Sequence, residues 1–149
     1  MAGAMNERPY GWALERYITR LKRRLEPVSI ILYGSTALGT QGVGSDIDLL
    51  VISDRLPGNF LERLRMLGEL NDTTAPIEAL GYTPEEFRRM LGRLHPTALS
   101  AVEEGVALHD TGFFRGQRAF YRRLKRRLHI TRVEDGWESQ RIPVSPMAG

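Results

Sequence analysis

The chain has 149 residues, 42% of them hydrophobic and 26% charged, which fits one soluble domain with a core of its own. No window approaches the roughly 20 apolar residues of a membrane span, and the first residues lack the basic-then-apolar order of a secretion signal. With no cysteine there is neither disulfide nor thiolate metal site, so a cytoplasmic protein is expected. The net charge is only +3, and arginine dominates the bases, with Lys22 and Lys125 the only lysines.

The elements follow in order. Leu14, Tyr17, Ile18, Leu21 and Leu25 recur at helical spacing, and Pro27 follows as a stop. Val28–Tyr33 is a short β-branched run that predicts a buried strand, and Asp46–Ser53 predicts a second. Phe60, Leu61, Leu64, Leu67 and Leu70 predict one apolar helix face. A third strand is expected over Ala75–Tyr82. Thr83, Pro84 and Glu86 then spell a capping box that opens another helix. His95–Gly105 reads as a helix, Val106–Asp110 as a last strand, and Gly112–Leu128 as a long helix with Phe113, Phe114, Phe120, Tyr121, Leu124 and Leu128 inward. Residues 1–130 are thus expected as a single domain. Residues 131–149 mix charge, glycine and proline without period, and are expected to be loose or to follow a partner's surface.

The stretch Tyr33–Val51, YGSTALGTQGVGSDIDLLV, stands apart. A strand leads into Gly34-Ser35 and then into a segment able to start a helix. Helix N-termini offer unpaired N–H groups to anions, and glycine lets backbone approach a phosphate closely. Taken alone, the Gly-Ser pair reads more simply as a capped helix after a strand. The acids change the balance. Side chains alternate along a strand, so Asp46 and Asp48 point to one face, about 6.5–7 Å apart at Cα. Two carboxylates so close resist double ionisation unless a cation joins them. Magnesium suits such a pair, because it prefers oxygen ligands and keeps positions for water and phosphate. Glu78 interrupts an otherwise apolar strand, where a buried acid is costly without a partner. If its strand lies beside that of Asp46 and Asp48, three acids can hold two ions about 3.5–4 Å apart.

Gly34-Ser35, ten intervening residues and Asp46-Ile47-Asp48 resemble the signature of the nucleotidyltransferase superfamily with a DNA polymerase β-like palm. Within it the chain resembles the minimal nucleotidyltransferases, the MNT proteins, from about Trp12 to Leu128. IEALGYTPEEF resembles the third-acid strand and the helix after it, and VEEGVALHD the late strand. The resemblance implies an α/β nucleotidyltransferase fold, a mixed sheet of about four strands flanked by helices. It implies transfer of a nucleotidyl group from a nucleoside triphosphate, with ATP and two Mg2+ ions. Gly34, Ser35 and Ser45 would hold the triphosphate. Asp46, Asp48 and Glu78 would bind metal, and Glu78 would also orient or deprotonate the acceptor. Two positions depart from the pattern: Glu78 stands where the family usually has aspartate, and Thr36 and Leu38 stand where many relatives carry arginine.

Such small proteins are commonly paired with a HEPN-domain protein, a toxin on which the MNT antitoxin adenylylates a tyrosine. A HEPN partner and AMP transfer to its hydroxyl are therefore the leading expectation. The alternative is a catalytically weak antitoxin module that binds nucleotide and partner. A small-molecule or nucleic-acid acceptor ranks lower. From Arg115 to Arg132 eight basic residues occur without an acid, yet a solvated helix face explains them better than nucleic acid does. His95, His109 and His129 show no zinc-ligand spacing. Trp12 is expected to pack, and a homo-oligomer is compatible with the exposed strand edges.

Overall fold

The computed structural model describes residues 10–34, 46–128, 131–133 and 136–138. Helix α1 (Gly11–Leu25) buries Ala13, Leu14, Tyr17, Ile18, Leu21 and Leu25, the stripe its spacing predicts. Its last turn carries Lys22, Arg23 and Arg24, which complement the negative end of the helix dipole. Glu26, at φ 42°, ends it in the left-handed region.

Strands β1 (Ser29–Tyr33) and β2 (Ile47–Ile52) pair antiparallel. β3 (Ile77–Tyr82) runs parallel to β2, and β4 (Val106–Asp110) antiparallel to β1. The result is one mixed sheet of four strands in the order β3-β2-β1-β4, the expected architecture. Helix α2 (Phe60–Glu69) connects β2 to β3, as a parallel pair requires of its crossover. Helices α3 (Pro84–Gly92) and α4 (Pro96–Glu104) lead to β4, and α5 (Phe113–Leu128) follows it.

Helices cover both faces, so β1 and β2 read as nearly unbroken apolar runs. Ile30, Leu32, Leu49 and Val51 pack with α1 and with Leu67 of α2. Ile31, Leu50 and Ile52 pack with Phe87, Leu91, Leu99, Phe114 and Tyr121 on the opposite face. Hydrogen bonds tie the layers. The Tyr17 hydroxyl donates to Leu67 O at 2.6 Å, and Ser53 Oγ donates to Leu25 O at 2.7 Å. The predicted capping box forms: Thr83 Oγ1 accepts from Glu86 N–H, and Glu86 Oε1 accepts from Thr83 N–H.

Two expectations fail, those for Phe120 and Trp12. Helix α2 forms as its spacing predicts, with Arg63 and Leu67 buried, whereas Phe60, Leu61 and Leu64 remain 41%, 72% and 37% exposed. An arginine holds the inward position because its guanidinium makes four hydrogen bonds. It donates to Pro57 O, to Gly81 O and to both oxygens of Glu86. In α5 Phe120 is exposed, while Arg118 turns inward to donate to Val102 O and Gly105 O over the Phe114 ring. Trp12 does not pack but stands 65% exposed. The side chain of Leu128 lies outside the described residues. Within 131–149, Thr131–Val133 and Gly136–Glu138 (β5 and β6) pair antiparallel, a local order that aperiodic composition did not announce.

Candidate functional site

The strand register builds the site. Asp48 of β2 lies opposite Tyr33 of β1 on one side and Glu78 of β3 on the other. Adjacent strands are about 4.8 Å apart, so the three side chains form one row across the sheet. They share the face of Leu50 and Ile52, one alternation step beyond the packed core. The row therefore stands at the open end of the sheet, with Asp48 and Tyr33 half-buried and Glu78 exposed. Asp46 sits just before β2 begins, exposed at the mouth of the row. A cavity of about 420 Å³ opens here, walled by Tyr33, Asp48, Glu78 and Leu80 and, from α2, by Leu64 and Gly68.

The electrostatics of the row are one-sided. Burial first, then the neighbouring charges of Glu78 and Asp46, pushes the Asp48 carboxyl above its usual range. Burial also pushes the Tyr33 phenol up to about 12, helped by Asp48, Tyr82 and Glu78. At neutral pH Tyr33 is thus an uncharged O–H donor beside two acids.

Gly34 closes the row from β1. Its φ is +72°, a conformation side chains rarely adopt. A Cβ there would also lie 2.9 Å from Asp48 Oδ2. Both the turn and the space therefore demand glycine, and the chain backbone lies directly against the carboxylate. Ser35 and Ser45, like Thr36 and Leu38, lie outside the described residues.

These groups fit a hard divalent cation. Carboxylate oxygen is the right donor, and magnesium is commonly held by one or two carboxylates with water and phosphate completing its sphere. Burial first, and the neighbouring carboxylates after it, raise Asp48, and a bound cation would offset both. As the side chains stand, no group of three acids or imidazoles among the described residues converges closely enough to enclose a metal ion. The structure thus brings Asp48 and Glu78 side by side and leaves Asp46 within electrostatic reach of them.

Periodicity did not identify Tyr33, Leu64 and Gly68 as walls of this site. Tyr33 enters only through the β1–β2 register. For α2, the spacing Phe60, Leu64, Gly68 was a usable signal, because residues four apart share a helix face. Among the described residues the basic helix α5 does not wall this cavity: Arg118 donates to Val102 O of α4 and to Gly105 O just after it, and Lys125 pairs with Glu103 at 2.9 Å. Among the described residues no helix is long and apolar enough to cross a membrane.

Comparison with known proteins gives the site a context. The chain is 35% identical over 68 residues to MJ1305 of Methanocaldococcus jannaschii, a proposed protein adenylyltransferase. That stretch covers 44% of this chain and 46% of the relative, under half of either. Among solved structures, it is similar to a chain of a toxin-antitoxin complex with AMP-PNP, at 20% identity and TM-score 0.45, covering 75% of this chain and 89% of that one. It is also similar to a chain of the tri-AMPylated Shewanella oneidensis HEPN toxin in complex with MNT antitoxin, at 16% identity and TM-score 0.45, covering 79% and 91%. Both likenesses are remote and carry no weight below. A model of the nucleotidyltransferase domain matches residues 14–107, well over half the chain and the whole of the acid row. On that match, the chain belongs to the nucleotidyltransferase domain family.

Proposed function

We propose that the protein is a magnesium-dependent nucleotidyltransferase that moves AMP from ATP to a hydroxyl of a protein partner. The observation that carries this reading is the row of Tyr33, Asp48 and Glu78, brought together by register at an open sheet end, with Gly34 backbone against the Asp48 carboxylate. The name of MJ1305 supports protein as the acceptor class. The resemblance to minimal nucleotidyltransferases supports a HEPN-domain protein as the partner, with this chain as its antitoxin.

Asp46, Asp48 and Glu78 would hold the metal, two ions during turnover. The chemistry a bound magnesium ion supplies there is neutralisation of charge at the α-phosphate and at the departing pyrophosphate. The Gly34 turn and Ser35 would hold the triphosphate, with Ser45 close to the acids in sequence. Tyr33, protonated at neutral pH, can donate a hydrogen bond to a phosphate oxygen or to the acceptor. Glu78, on the outer strand and exposed, is the acid best placed to orient an acceptor hydroxyl and take its proton. The acceptor oxygen then bonds to the α-phosphorus in line as the bond to pyrophosphate breaks.

The test is to incubate the purified chain with labelled ATP, magnesium and the protein encoded beside it. Label on a hydroxyl of that protein is expected, and no transfer from any of the four nucleotides would overturn the reading. A second reading, a binding module with little turnover, draws on the absence of a closed trio of acids among the described residues. Asp46→Ala combined with Asp48→Ala separates the two: partner neutralisation that survives it belongs to contact rather than transfer.

A further inference from the structure

Helix α2 carries three of the large apolar side chains left exposed among the described residues. Phe60, Leu61 and Leu64 lie within one turn. At 100° per residue they share one face, and Gly68 continues the stripe of Phe60 and Leu64. The stripe links two cavities. Leu64 and Gly68 wall the acid cavity described above. Phe60 walls a second cavity, of about 310 Å³, with Tyr82, Met90, Arg89, Arg93 and His95.

The second cavity is apolar within and basic at the rim. The Phe60 and Tyr82 rings meet at 6.0 Å between centroids. The one carboxylate in its wall, Glu86, is already matched by the buried Arg63. Arg89 makes only an exposed pair with Glu85 one turn away, which binds it weakly. Arg93 has no ion-pair partner among the described residues. His95 Nδ1 accepts from Thr97 N–H, so a proton on the neutral ring sits on Nε2, where it can donate.

Between the cavities runs β3, an edge strand with no described strand on its outer side. Glu78, Leu80 and Tyr82 share one of its faces, from the acid cavity to the basic one. Glu78 to Tyr82 spans about 13 Å at 3.3 Å per residue. Along the helix, Phe60 to Gly68 spans about 12 Å at 1.5 Å per residue. The two lengths agree, so strand edge and helix stripe form one track with carboxylates at one end, apolar side chains along it and cations at the other.

We infer that this track is the docking surface for the acceptor protein, and that its occupant is an extended segment carrying the acceptor hydroxyl, then apolar side chains, then carboxylates. The inference rests on the transfer reading for what happens at the acid end. The occupant follows from charge and continuity. A segment whose hydroxyl reaches Glu78 and Asp48 runs along Leu64 and Leu61 and ends, about 13 Å on, against Arg93, Arg89 and His95. An acidic end matches the two arginines and the His95 N–H donor, and a basic end is repelled by the arginines.

The probes are fluorescently labelled peptides of ten residues. One has a tyrosine, alternate leucines and two terminal glutamates. The second is its reverse, and the third carries lysines for the glutamates. Anisotropy is measured against the full chain and its Leu61→Glu and Arg93→Glu variants. Both substitutions are at exposed positions, and circular dichroism checks the fold. One glutamate peptide is expected to bind, more weakly with added salt, and to lose about tenfold or more in affinity to each variant. The lysine peptide is expected not to bind. Equal binding of the acidic and basic peptides, no binding of either glutamate peptide at millimolar concentration, or affinities unchanged by both variants would overturn the inference. So would dimerisation of the chain that Leu61→Glu abolishes, which would give the track to a second copy. Separate assays keep the two proposals apart. Peptide binding is measured without magnesium or ATP, so absence of transfer with binding intact overturns the transfer reading alone, and transfer that tolerates both track variants overturns the track.

Discussion

Asp48 and Asp110 are both partly buried aspartates at the ends of strands in the same sheet, and their surroundings are opposite. Asp110, at the end of β4, accepts from Ser29 Oγ at 2.8 Å and from the backbone N–H groups of Gly112, Phe114 and Arg115. Burial alone would push its carboxyl up, but these donors together outweigh burial and hold it below the usual range. It closes the N-terminus of α5 and is satisfied inside the chain. Asp48 faces Glu78 and Asp46, and burial and their charges push it the other way. One end of the sheet is electrostatically complete. At the other, the charges that act on Asp48 among the described residues are those of acids, and a bound cation with its phosphates would offset both them and the burial.

The largest way to break this contrast is Asp48→Asn. Transfer, or nucleotide-dependent activity of any kind, is expected to fall on the order of 10²-fold or more, as when one preorganised electrostatic group is lost. The melting temperature without magnesium should stay level or rise, because a like-charge repulsion is relieved. Magnesium and ATP should raise the wild-type melting temperature and leave the variant's unmoved. Glu78→Gln should resemble it in activity. A variant that keeps full activity would place the chemistry elsewhere.

Next comes Gly34→Ala. A residue held at φ +72° with its Cβ 2.9 Å from Asp48 Oδ2 should cost about 1–3 kcal/mol in urea unfolding and weaken magnesium binding by displacing the carboxylate. Unchanged stability would show that the backbone can relax away from Asp48. At the other end, Asp110→Ala removes the acceptor from the start of α5 and should cost about 1–2 kcal/mol, with no effect on magnesium binding.

The smallest effect is in the pH dependence of stability. Asp110 is lower in the folded state than its unfolded value of about 3.9, so its contribution is present above that pH and is lost as pH falls through the folded value. Asp48 is raised, so it contributes a penalty above its folded value that fades as pH falls toward about 4. Comparing urea midpoints from pH 4 to 7, Asp48→Asn should show a smaller decline, or a larger rise, with pH than the wild type. Saturating magnesium should reverse the difference, because only the wild type gains stability from the metal, and gains more as its carboxylates ionise. Identical profiles without metal would mean that the acids do not repel one another as their placement requires.

Much of this was legible along the chain. The order and type of the elements from Gly11 to Leu128, the capping box of Thr83 and Glu86, and the stripe of α1 all follow from local periodicity and side-chain chemistry. Phe120 was misplaced, and the outward turn of Phe60, Leu61 and Leu64 was not foreseen, for one reason. Periodicity shows that apolar residues share a helix face but not which face meets the core, and Arg63 and Arg118 could turn inward because distant carbonyls and a carboxylate received them.

The sequence by itself determined the residue types of the site: a glycine able to take a positive φ, acids spaced to repel, and an acid set into an apolar strand. Tertiary structure decided their company. That Glu78 stands beside Asp48, that Tyr33 flanks it on the other side, and that α2 turns Leu64 outward to the same cavity depend on strand order and register. Register arises from the simultaneous packing of both sheet faces, in which residues dozens of positions apart must interlock, and no local run of side chains carries that information.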